Sequence, residues 1–345
     1  MVKVAFYDTK AYDRPSFEHY GSIHDMQFRF LETKLDEDTA SLAKGCDAVC
    51  VFVNDTVNAA VIDRLYEEGI RMIALRCAGY NNVDVKYAYG KIHVVHVPAY
   101  SPYAVAEHTA ALLLTSVRRI HKAYNRTREF NFSLNGLTGF DLHGKTTGVI
   151  GTGKIGRIFI DICRGFGMNV IAYDAFPAKD SGIEYVSLDE LFTESDIISL
   201  HCPLTEDTRH MINADAIGKM KKGVVIVNTS RGGLIDAEAL LEGIKVRKIG
   251  AACLDVYEEE ADIFFEDRSG HILNDDLLAR LITMPNVIVT SHQAFLTEEA
   301  QNNIAETTVN NILSYFNNDG ICDNELCYRC GNIEQCRKER RQRCF

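Results

Sequence analysis

The chain repeats one pattern of apolar and polar positions from its first residues onward. Short apolar runs of strand length occur at 2–7, 48–53, 72–77 and 93–98. A helix-like stretch at 57–68 separates the second run from the third. Strands that alternate with helical segments are typical of βαβ units around a parallel sheet. The pattern predicts a first α/β unit that ends near Pro98.

A second βαβ series begins after a helical stretch. Ser101 suits an N-cap and Pro102 the first helical position, so the apolar stretch 101–127 predicts one long, well-buried helix. Six strand candidates follow, within 145–156, 169–174, 196–203, 223–232, 249–257 and 286–293. Six strands with intervening helices are enough for a complete doubly wound sheet.

The last helical pattern sets the domain division. A final helix at about 297–316 is expected to return to the first unit. We therefore expect residues 1–100 and 298–331 to form one domain, with residues 101–297 inserted as a second. A length of 345 residues agrees with two domains.

Composition excludes several classes of function. The net charge of −11 argues against nucleic-acid binding, which needs a basic face. No apolar run approaches the roughly 20 residues that span a membrane. The N-terminus reads as a strand and has no signal-peptide pattern, so we expect a cytoplasmic protein.

The second unit opens with a dinucleotide-binding pattern. Gly151, Gly153 and Gly156 form G-x-G-x-x-G between a strand and a helix, with Lys154 and Ile155 inside the motif. The glycines allow a tight turn, close approach of a pyrophosphate and close packing of helix on strand. Asp174 ends the next strand, where a carboxylate can bind the ribose 2′-hydroxyl. This favours NAD over NADP, although the nearby Lys179 weakens the preference.

Three polar residues follow later strands and could carry chemistry. Arg231 could bind a carboxylate through two hydrogen bonds, and His292 could exchange a proton near neutral pH. Glu260 could stabilise the protonated imidazole and fix its tautomer. Taken singly, each has an ordinary alternative: a surface arginine, a structural histidine, and a solvated acidic loop.

The order of several motifs points to a family. GTGKIG, NTSRGGLID, DVYEEE and SHQAFLT occur together with RCAGYNNVD and PAYSPYAVAEH. Over roughly residues 1–326 the chain resembles the D-isomer-specific 2-hydroxyacid dehydrogenases. The resemblance implies a Rossmann NAD-binding domain inserted into a flavodoxin-like substrate domain, both doubly wound with parallel sheets. FVND and the stretch around residues 126–156 resemble the bacterial D-lactate dehydrogenase branch, which implies pyruvate and D-lactate as substrates.

The resemblance also implies residue roles. Arg231, Glu260 and His292 would be catalytic, and Glu260 is chosen over its neighbours as the last residue of DVYEEE. Asp255 would contact the nicotinamide carboxamide. The remaining nicotinamide and ribose contacts would be His201, Cys202, Pro203, Thr229 and Ser230. The substrate contacts would be Phe52, Ala78, Gly79, Tyr100 and Phe295.

Some alternatives stay open. A larger pocket would favour a bulkier 2-keto acid, since one methylene group changes binding by only about 1–3 kcal/mol. The same fold could also serve a non-catalytic NAD-sensing protein, although such a protein has no need of the three catalytic residues. Relatives of this kind associate through the nucleotide domain, so a homo-oligomer, either dimer or tetramer, is expected.

The C-terminal residues depart from the family pattern. Residues 327–345 form a basic tail with a CxxC at Cys327 and Cys330, flanked by Cys322, Cys336 and Cys344. CxxC is a zinc-ligand spacing, but a second such pair is missing. We therefore expect a mobile, solvated terminus and no metal site.

Overall fold

The computed structural model describes residues 1–261, 263–317 and 322–328. Its contacts divide the chain into two compact units. Unit 1 contains residues 1–101 and the described residues from Thr297 onward, and unit 2 contains residues 102–296. Each unit has one sheet of parallel strands with helices, which confirms the predicted fold class.

Unit 1 is built on five strands. These are β1 (Val2–Phe6), β2 (Met26–Phe30), β3 (Ala48–Val51), β4 (Met72–Leu75) and β5 (His93–Val95). The helices are α1 (Arg14–Ile23), α2 (Ala59–Glu67), α3 (Val85–Ala88) and α11 (Glu298–Asn317), with a 3₁₀ helix at Ala40–Ala43. The strand order β2-β1-β3-β4-β5 is that of flavodoxin-like domains.

The strands of unit 1 differ in burial, and only the well-buried ones show the continuous apolar run by which a strand is predicted. Every residue of β3 and β4 is buried, as expected for strands covered on both faces. Strand β2 has only one buried residue, Met26, and lies at the sheet edge. Strand β2 is not predicted from the sequence, because an edge strand does not need a continuous apolar run.

A short C-terminal segment covers the opposite edge of this sheet. Glu325 pairs antiparallel with Val95 of β5, and the Leu326 N–H donates to the Val94 carbonyl at 2.7 Å. The His93 Nδ1 and Glu325 Oε1 atoms lie 2.6 Å apart, with side chains only 6% and 4% exposed. Glu325 and Leu326 are thus paired with the sheet of unit 1.

Unit 2 is built on seven strands. These are β6 (Thr146–Ile150), β7 (Asn169–Tyr173), β8 (Glu184–Tyr185), β9 (Ile197–Leu200), β10 (Val224–Asn228), β11 (Ile249–Leu254) and β12 (Val287–Val289). The helices are α4 (Pro102–Val117), α5 (Ile120–Arg128), α6 (Lys154–Gly165), α7 (Leu188–Glu194), α8 (Ala214–Lys219), α9 (Ala237–Lys245) and α10 (Asp276–Thr283), with a 3₁₀ helix at Gly232–Leu234.

The seven strands run in the order β12-β11-β10-β9-β6-β7-β8, and all neighbours are parallel. This is the Rossmann order. Successive strands are added on one side of β6 as far as β8 and then, from β9 onward, on its other side. The carboxyl ends of the strands lie on one edge of the sheet, which is where ligands bind in such folds. The two-residue strand β8 was not predicted, since it is too short to show a pattern.

The prediction of one long buried helix over 101–127 is wrong in its second half. Helix α4 ends at Val117, and Arg119 adopts a left-handed conformation with φ of 57°. A Cβ on Gly139 would lie 2.0 Å from the Val117 carbonyl oxygen, so a later segment packs directly against the end of α4. Helix α5 buries none of its residues.

Two further features of the described residues concern function. No helix within residues 1–261, 263–317 and 322–328 is long and apolar enough to cross a membrane. The same part of the chain contains no group of three or more His, Cys, Asp or Glu side chains that could hold a metal. The predictions for Cys330, Cys336 and Cys344 lie outside the described residues.

Candidate active site

The glycines after β6 form the turn that the sequence predicts. Gly151 has a φ of 94°, and a Cβ there would lie 2.6 Å from the Cys202 nitrogen. A Cβ on Gly156 would lie 2.1 Å from the Gly151 carbonyl oxygen, so helix α6 can approach the turn only with glycine there. No heavy atom lies within 4 Å of a Cβ on Gly153. The N-terminus of α6, with Lys154 and Ile155, is therefore open to a ligand.

Asp174 lies directly after β7 and is held by the same turn. Its Oδ2 accepts hydrogen bonds from the Thr152 backbone N–H at 2.6 Å and from the Thr152 hydroxyl at 2.8 Å. The Tyr185 hydroxyl lies 2.9 Å from the same Thr152 hydroxyl. Partial burial raises the pKa of Asp174, but hydrogen bonds from Phe176 and Thr152 outweigh burial and bring it below its usual value. The carboxylate is thus ionised and oriented.

The residues after β9 and β10 form a continuous polar lining. Burial lowers the pKa of His201 to about 3, so its imidazole is neutral at physiological pH, and its Nε2 lies 2.9 Å from the Ser199 hydroxyl. The Ser230 hydroxyl donates to the Cys202 carbonyl at 2.6 Å, which ties the two strand ends together. Thr229 is buried, whereas Pro203 is exposed.

Arg231 projects from a tight turn after β10. Asn228 is buried and accepts from the Ser230 N–H at 3.0 Å, while its side-chain amide donates to the Arg231 carbonyl at 2.9 Å. A Cβ on the next residue, Gly232, would lie 2.0 Å from the Tyr257 carbonyl carbon. The guanidinium is half-buried and donates to the Ser230 carbonyl at 2.7 Å.

His292 and Glu260 form a close pair. The His292 Nδ1 lies 2.7 Å from Glu260 Oε1, and Glu260 Oε2 accepts from the Tyr257 N–H at 2.9 Å. Within the described residues, His292 Nε2 has no hydrogen-bond partner. Glu258 binds elsewhere, with its Oε1 at 2.7 Å from Arg209 and 2.8 Å from His210. Of these two glutamates, only Glu260 contacts His292.

Asp255 after β11 holds the chain on both sides of His292. Its Oδ1 accepts from the Thr290 hydroxyl at 2.6 Å and the Gln293 N–H at 3.0 Å, and its Oδ2 accepts from the Ala294 N–H at 2.9 Å. Its backbone carbonyl accepts from the His292 N–H at 2.7 Å. His292 needs this support, because its φ of 56° is a left-handed conformation that side chains rarely adopt.

Burial and hydrogen bonding act in opposite directions on Asp255. Burial raises its pKa, but hydrogen bonds from His108, Thr290 and Ala294 outweigh burial and bring the pKa below its usual value. The carboxylate is fully buried, so its oxygens point into the protein. Its contact with a nicotinamide carboxamide stays a prediction.

In unit 1 the candidate substrate residues also follow strand ends. Ala78 and Gly79 lie after β4, and within the described residues neither backbone N–H has a hydrogen-bond acceptor. Successive N–H groups without acceptors are available to bind an anion. The Tyr100 carbonyl accepts from the Asn303 side chain at 3.0 Å, which attaches Tyr100 to α11.

The two phenylalanines that sequence analysis selected are buried. Phe52 is 6% exposed and Phe295 is 9% exposed, each just after a strand or a polar turn. The Asp55 carboxylate accepts from the Phe52 N–H at 2.6 Å, and the Arg76 guanidinium lies 4.6 Å from the Phe52 ring centre. Burial raises the pKa of Asp55 to about 6, so Asp55 is ionised at neutral pH and holds this turn.

Comparison with known proteins identifies the family. Residues 110–294 match the sequence profile of the D-isomer specific 2-hydroxyacid dehydrogenase, NAD binding domain. The chain belongs to this dehydrogenase family. It is 51% identical over 327 residues to a 2-hydroxyacid dehydrogenase homolog of Haemophilus influenzae, covering 94% of this chain and 98% of that protein. It is 50% identical over 329 residues to D-lactate dehydrogenase of Escherichia coli, covering 94% of this chain and all of that protein (100%).

A solved structure agrees with this assignment. The apo-structure of D-lactate dehydrogenase from Escherichia coli has a TM-score of 0.87 to this chain at 48% identity, covering 94% of this chain and 100% of that one. The predictions of the family, of an NAD-dependent dehydrogenase and of NAD as its cofactor are therefore confirmed.

Sequence reasoning missed several residues that support the site. Thr152 and Tyr185 orient Asp174, and His108 lies 3.3 Å from both Asp255 Oδ1 and the Thr290 hydroxyl. Thr152 could have been found, since it lies inside the glycine motif. His108 could also have been found, since it ends the motif PAYSPYAVAEH, whereas Tyr185 carries no comparable signal and meets Thr152 only through the fold.

Gly232→Ala tests whether close packing positions Arg231. The new methyl group would overlap the backbone at Tyr257 and Glu258, which cannot move as a flexible side chain could. We expect a loss of about 3 kcal/mol in the free energy of unfolding, measured with urea, and a large loss of dehydrogenase activity.

Gly218→Ala is the matched control. Gly218 lies in α8, with no heavy atom within 4 Å of a Cβ there. We expect unchanged or slightly increased stability, by up to about 1 kcal/mol, because alanine is the better helix former. Equal behaviour of the two variants would contradict the close packing at Gly232.

Proposed function

We propose that this dehydrogenase reduces pyruvate to D-lactate with NADH, reversibly and with proton transfer through His292. The observation that carries the proposal is the His292–Glu260 pair at 2.7 Å, on an edge of the sheet that also carries Arg231. The strands that lead to Arg231, Asp255 and His292 are neighbours, and neighbouring strands lie about 4.8 Å apart. The half-identical D-lactate dehydrogenase of Escherichia coli supports the choice of substrate.

The residues of unit 2 fit a nicotinamide dinucleotide. The open N-terminus of α6 at Gly153 suits a pyrophosphate, and the ionised Asp174 suits a ribose diol and disfavours a 2′-phosphate. The neutral His201, with Cys202, Pro203, Thr229 and Ser230, is proposed to line the nicotinamide side. When bound, NADH supplies the hydride that the keto carbon receives.

His292 is proposed to supply the proton. Its Nδ1 is committed to Glu260, so Nε2 is the nitrogen that can donate to the keto oxygen during reduction. In the reverse direction the same nitrogen accepts the hydroxyl proton. The Glu260 carboxylate stabilises the positive charge of the protonated ring, and Asp255 keeps the ring's backbone in place.

Arg231 is proposed to bind the substrate carboxylate and orient the keto group. A guanidinium can donate two parallel hydrogen bonds to a carboxylate and stays charged at all physiological pH values. The N–H groups of Ala78 and Gly79 are proposed to donate to the same anion. With these groups on the carboxylate, the keto oxygen is proposed to contact His292.

The substrate side chain is proposed to contact aromatic residues. Phe52, Tyr100 and Phe295 would restrict the space beside C3 and favour the methyl group of pyruvate. A larger 2-keto acid, such as 2-ketoisocaproate or phenylpyruvate, is the second candidate, because small changes in such a pocket alter binding by only about 1–3 kcal/mol.

Turnover of three 2-keto acids tests the substrate and the acid together. We expect fast NADH oxidation with pyruvate, slower oxidation with 2-ketoisocaproate and phenylpyruvate, and D-lactate as product. His292→Ala should lower kcat about a hundredfold or more, because the keto oxygen loses its proton donor. A preference for a bulky keto acid would change the substrate, and tight NADH binding without turnover would refute the enzyme function.

A pair of glutamate variants tests the partner of His292. Glu260→Gln removes the negative charge beside the imidazole, so we expect kcat/KM for pyruvate to fall at least about tenfold. Glu258→Gln changes a glutamate that binds Arg209 and His210 and should stay within about threefold of wild type. Equal losses in both variants would rule out a specific role for Glu260.

We further propose that two copies of the chain associate through residues 119–141. This segment contains α5, which buries nothing, and exposes Phe130 (84%), Phe132 (71%) and Leu134 (80%). Apolar side chains this exposed and this close in sequence are typical of a surface that a partner covers. The partner is a second copy, because family members of this kind are expected to associate through the NAD-binding domain.

Phe132→Asp tests this association. We expect the wild type to sediment as a dimer or tetramer and Phe132→Asp to shift towards monomer, since a carboxylate at a buried interface is costly. Val246→Asp, at the end of α9 and 69% exposed, should leave the mass unchanged. A wild type that sediments as monomer at micromolar concentration would disprove the proposal.

The thiols of the body support a cytoplasmic location. Burial raises the pKa of Cys50, Cys163 and Cys253 to about 12 in each case. All cysteines of the described residues are free thiols, and disulfides are rare in proteins of a reducing compartment.

A further inference from the structure

Each carbonyl group of the loop Cys77–Gly79 has a hydrogen-bond partner. The Cys77 carbonyl accepts from the Val97 N–H at 3.2 Å. The Ala78 carbonyl lies 2.9 Å from His96 Nδ1, and the Gly79 carbonyl lies 3.2 Å from the Cys77 sulfur. The N–H groups of Ala78 and Gly79 have no acceptor among the described residues.

The contact with His96 fixes an N–H group as well as a carbonyl. The Ala78 carbonyl and the Gly79 N–H belong to one peptide unit, which is planar and trans. In a trans peptide the C=O and N–H bonds point in opposite directions. A hydrogen bond that holds the Ala78 carbonyl towards His96 therefore turns the Gly79 N–H away from it.

The chemistry of the pair defines the proton on His96. A carbonyl oxygen only accepts hydrogen bonds, so His96 Nδ1 must carry the hydrogen and donate it. This holds for the neutral ring with its proton on Nδ1 and for the charged ring. The interaction also needs the imidazole ring to stay in one position. An edge-to-face contact with the Tyr80 ring, with 5.8 Å between the two ring centres, helps to hold it there.

The backbone of His96 is held by Asn324 and Asn311. Its N–H donates to the Asn324 carbonyl at 3.1 Å, and its carbonyl accepts from the Asn311 side chain at 2.9 Å. Asn324 also donates to the Asn311 side-chain oxygen at 2.8 Å. The buried Glu325–His93 pair fixes the same segment against β5. Both backbone groups of His96 are therefore fixed by hydrogen bonds, which limits the movement of its ring.

We infer that His96 is a positioning residue for the substrate carboxylate, acting through the Ala78–Gly79 peptide. The inference rests on the proposed function, in which the N–H groups of Ala78 and Gly79 bind that carboxylate. Without the Nδ1 donor the peptide can rotate, and the Gly79 N–H no longer points constantly in one direction. The loss should appear in substrate affinity and not in cofactor affinity.

Two substitutions separate the donor from the volume of the side chain. His96→Asn keeps an N–H donor at nearly the position of Nδ1, whereas His96→Leu fills similar space without one. His24→Ala, an exposed histidine of unit 1, serves as the control for loss of an imidazole. For each variant we would measure kcat, KM for pyruvate, Ki for oxamate and Kd for NADH, with pyruvamide as a substrate that lacks a carboxylate.

The expected result is selective. In His96→Leu, KM for pyruvate and Ki for oxamate should rise together by about tenfold, the size expected when a hydrogen bond to an anion is misdirected. The Kd for NADH, kcat and the kcat/KM for pyruvamide should change by less than about threefold, since none of them depends on carboxylate binding. His96→Asn should restore most of the affinity for pyruvate.

Other outcomes would overturn the inference. An unchanged KM in His96→Leu, or equal losses with pyruvate and pyruvamide, would refute the role of His96 alone. So would failure of His96→Asn to restore affinity while its thermal unfolding midpoint matches the wild type. A wild-type chain that reduces no 2-keto acid would instead refute the proposed function, and this inference with it.

Discussion

The buried carboxylate of Asp255 is the constraint on which the candidate site depends. His292 must adopt a left-handed backbone conformation, which costs about 1–3 kcal/mol for a residue with a side chain. Asp255 offsets that cost with hydrogen bonds from residues on both sides of His292 and with its own backbone carbonyl. The strand β11 that carries Asp255 lies between the strands that lead to Arg231 and His292. One fully buried charge therefore sets the geometry of its neighbours on both sides.

In unit 1, too, residues proposed to touch a ligand are oriented by neighbours that follow other strands or lie in the same loop. The parallel sheet brings the ends of β4 and β5 next to each other, so a side chain after β5 can bond the loop after β4. Asp55 and Arg76 act similarly on Phe52 after β3. In each unit, the residue proposed to touch a ligand is oriented by a neighbour at the adjacent strand end. Parallel topology makes such support available at every position along the carboxyl edge.

Sequence alone predicted the parts of this structure that depend on local pattern. The glycine turn at Gly151 and the buried strands were visible because each needs specific residue types in consecutive positions. Strand β2 is not predicted because it is half exposed. Helix α5 is predicted as part of the buried helix, although its residues are mostly polar, because no Pro or Gly marks the break at Arg119. The family resemblance names Asp255 as a nicotinamide contact, and that role stays a prediction. Its bonds to residues 290–294 could not be anticipated, since they join segments about 35–40 positions apart.

The antiparallel pairing of residues 322–326 with β5 has a consequence for how the chain is made. Unit 2 is continuous in sequence from Pro102 to Leu296, so all of its strands are made before residues 322–326. Strand β5 is made earlier than unit 2, yet its outer edge stays unpaired until residues 322–326 are synthesised. Open edges invite pairing with other chains, and domains generally fold in the order in which they are synthesised. Unit 1 is therefore completed only after unit 2, and the unpaired edge of β5 is exposed to aggregation during the time in which unit 2 is synthesised.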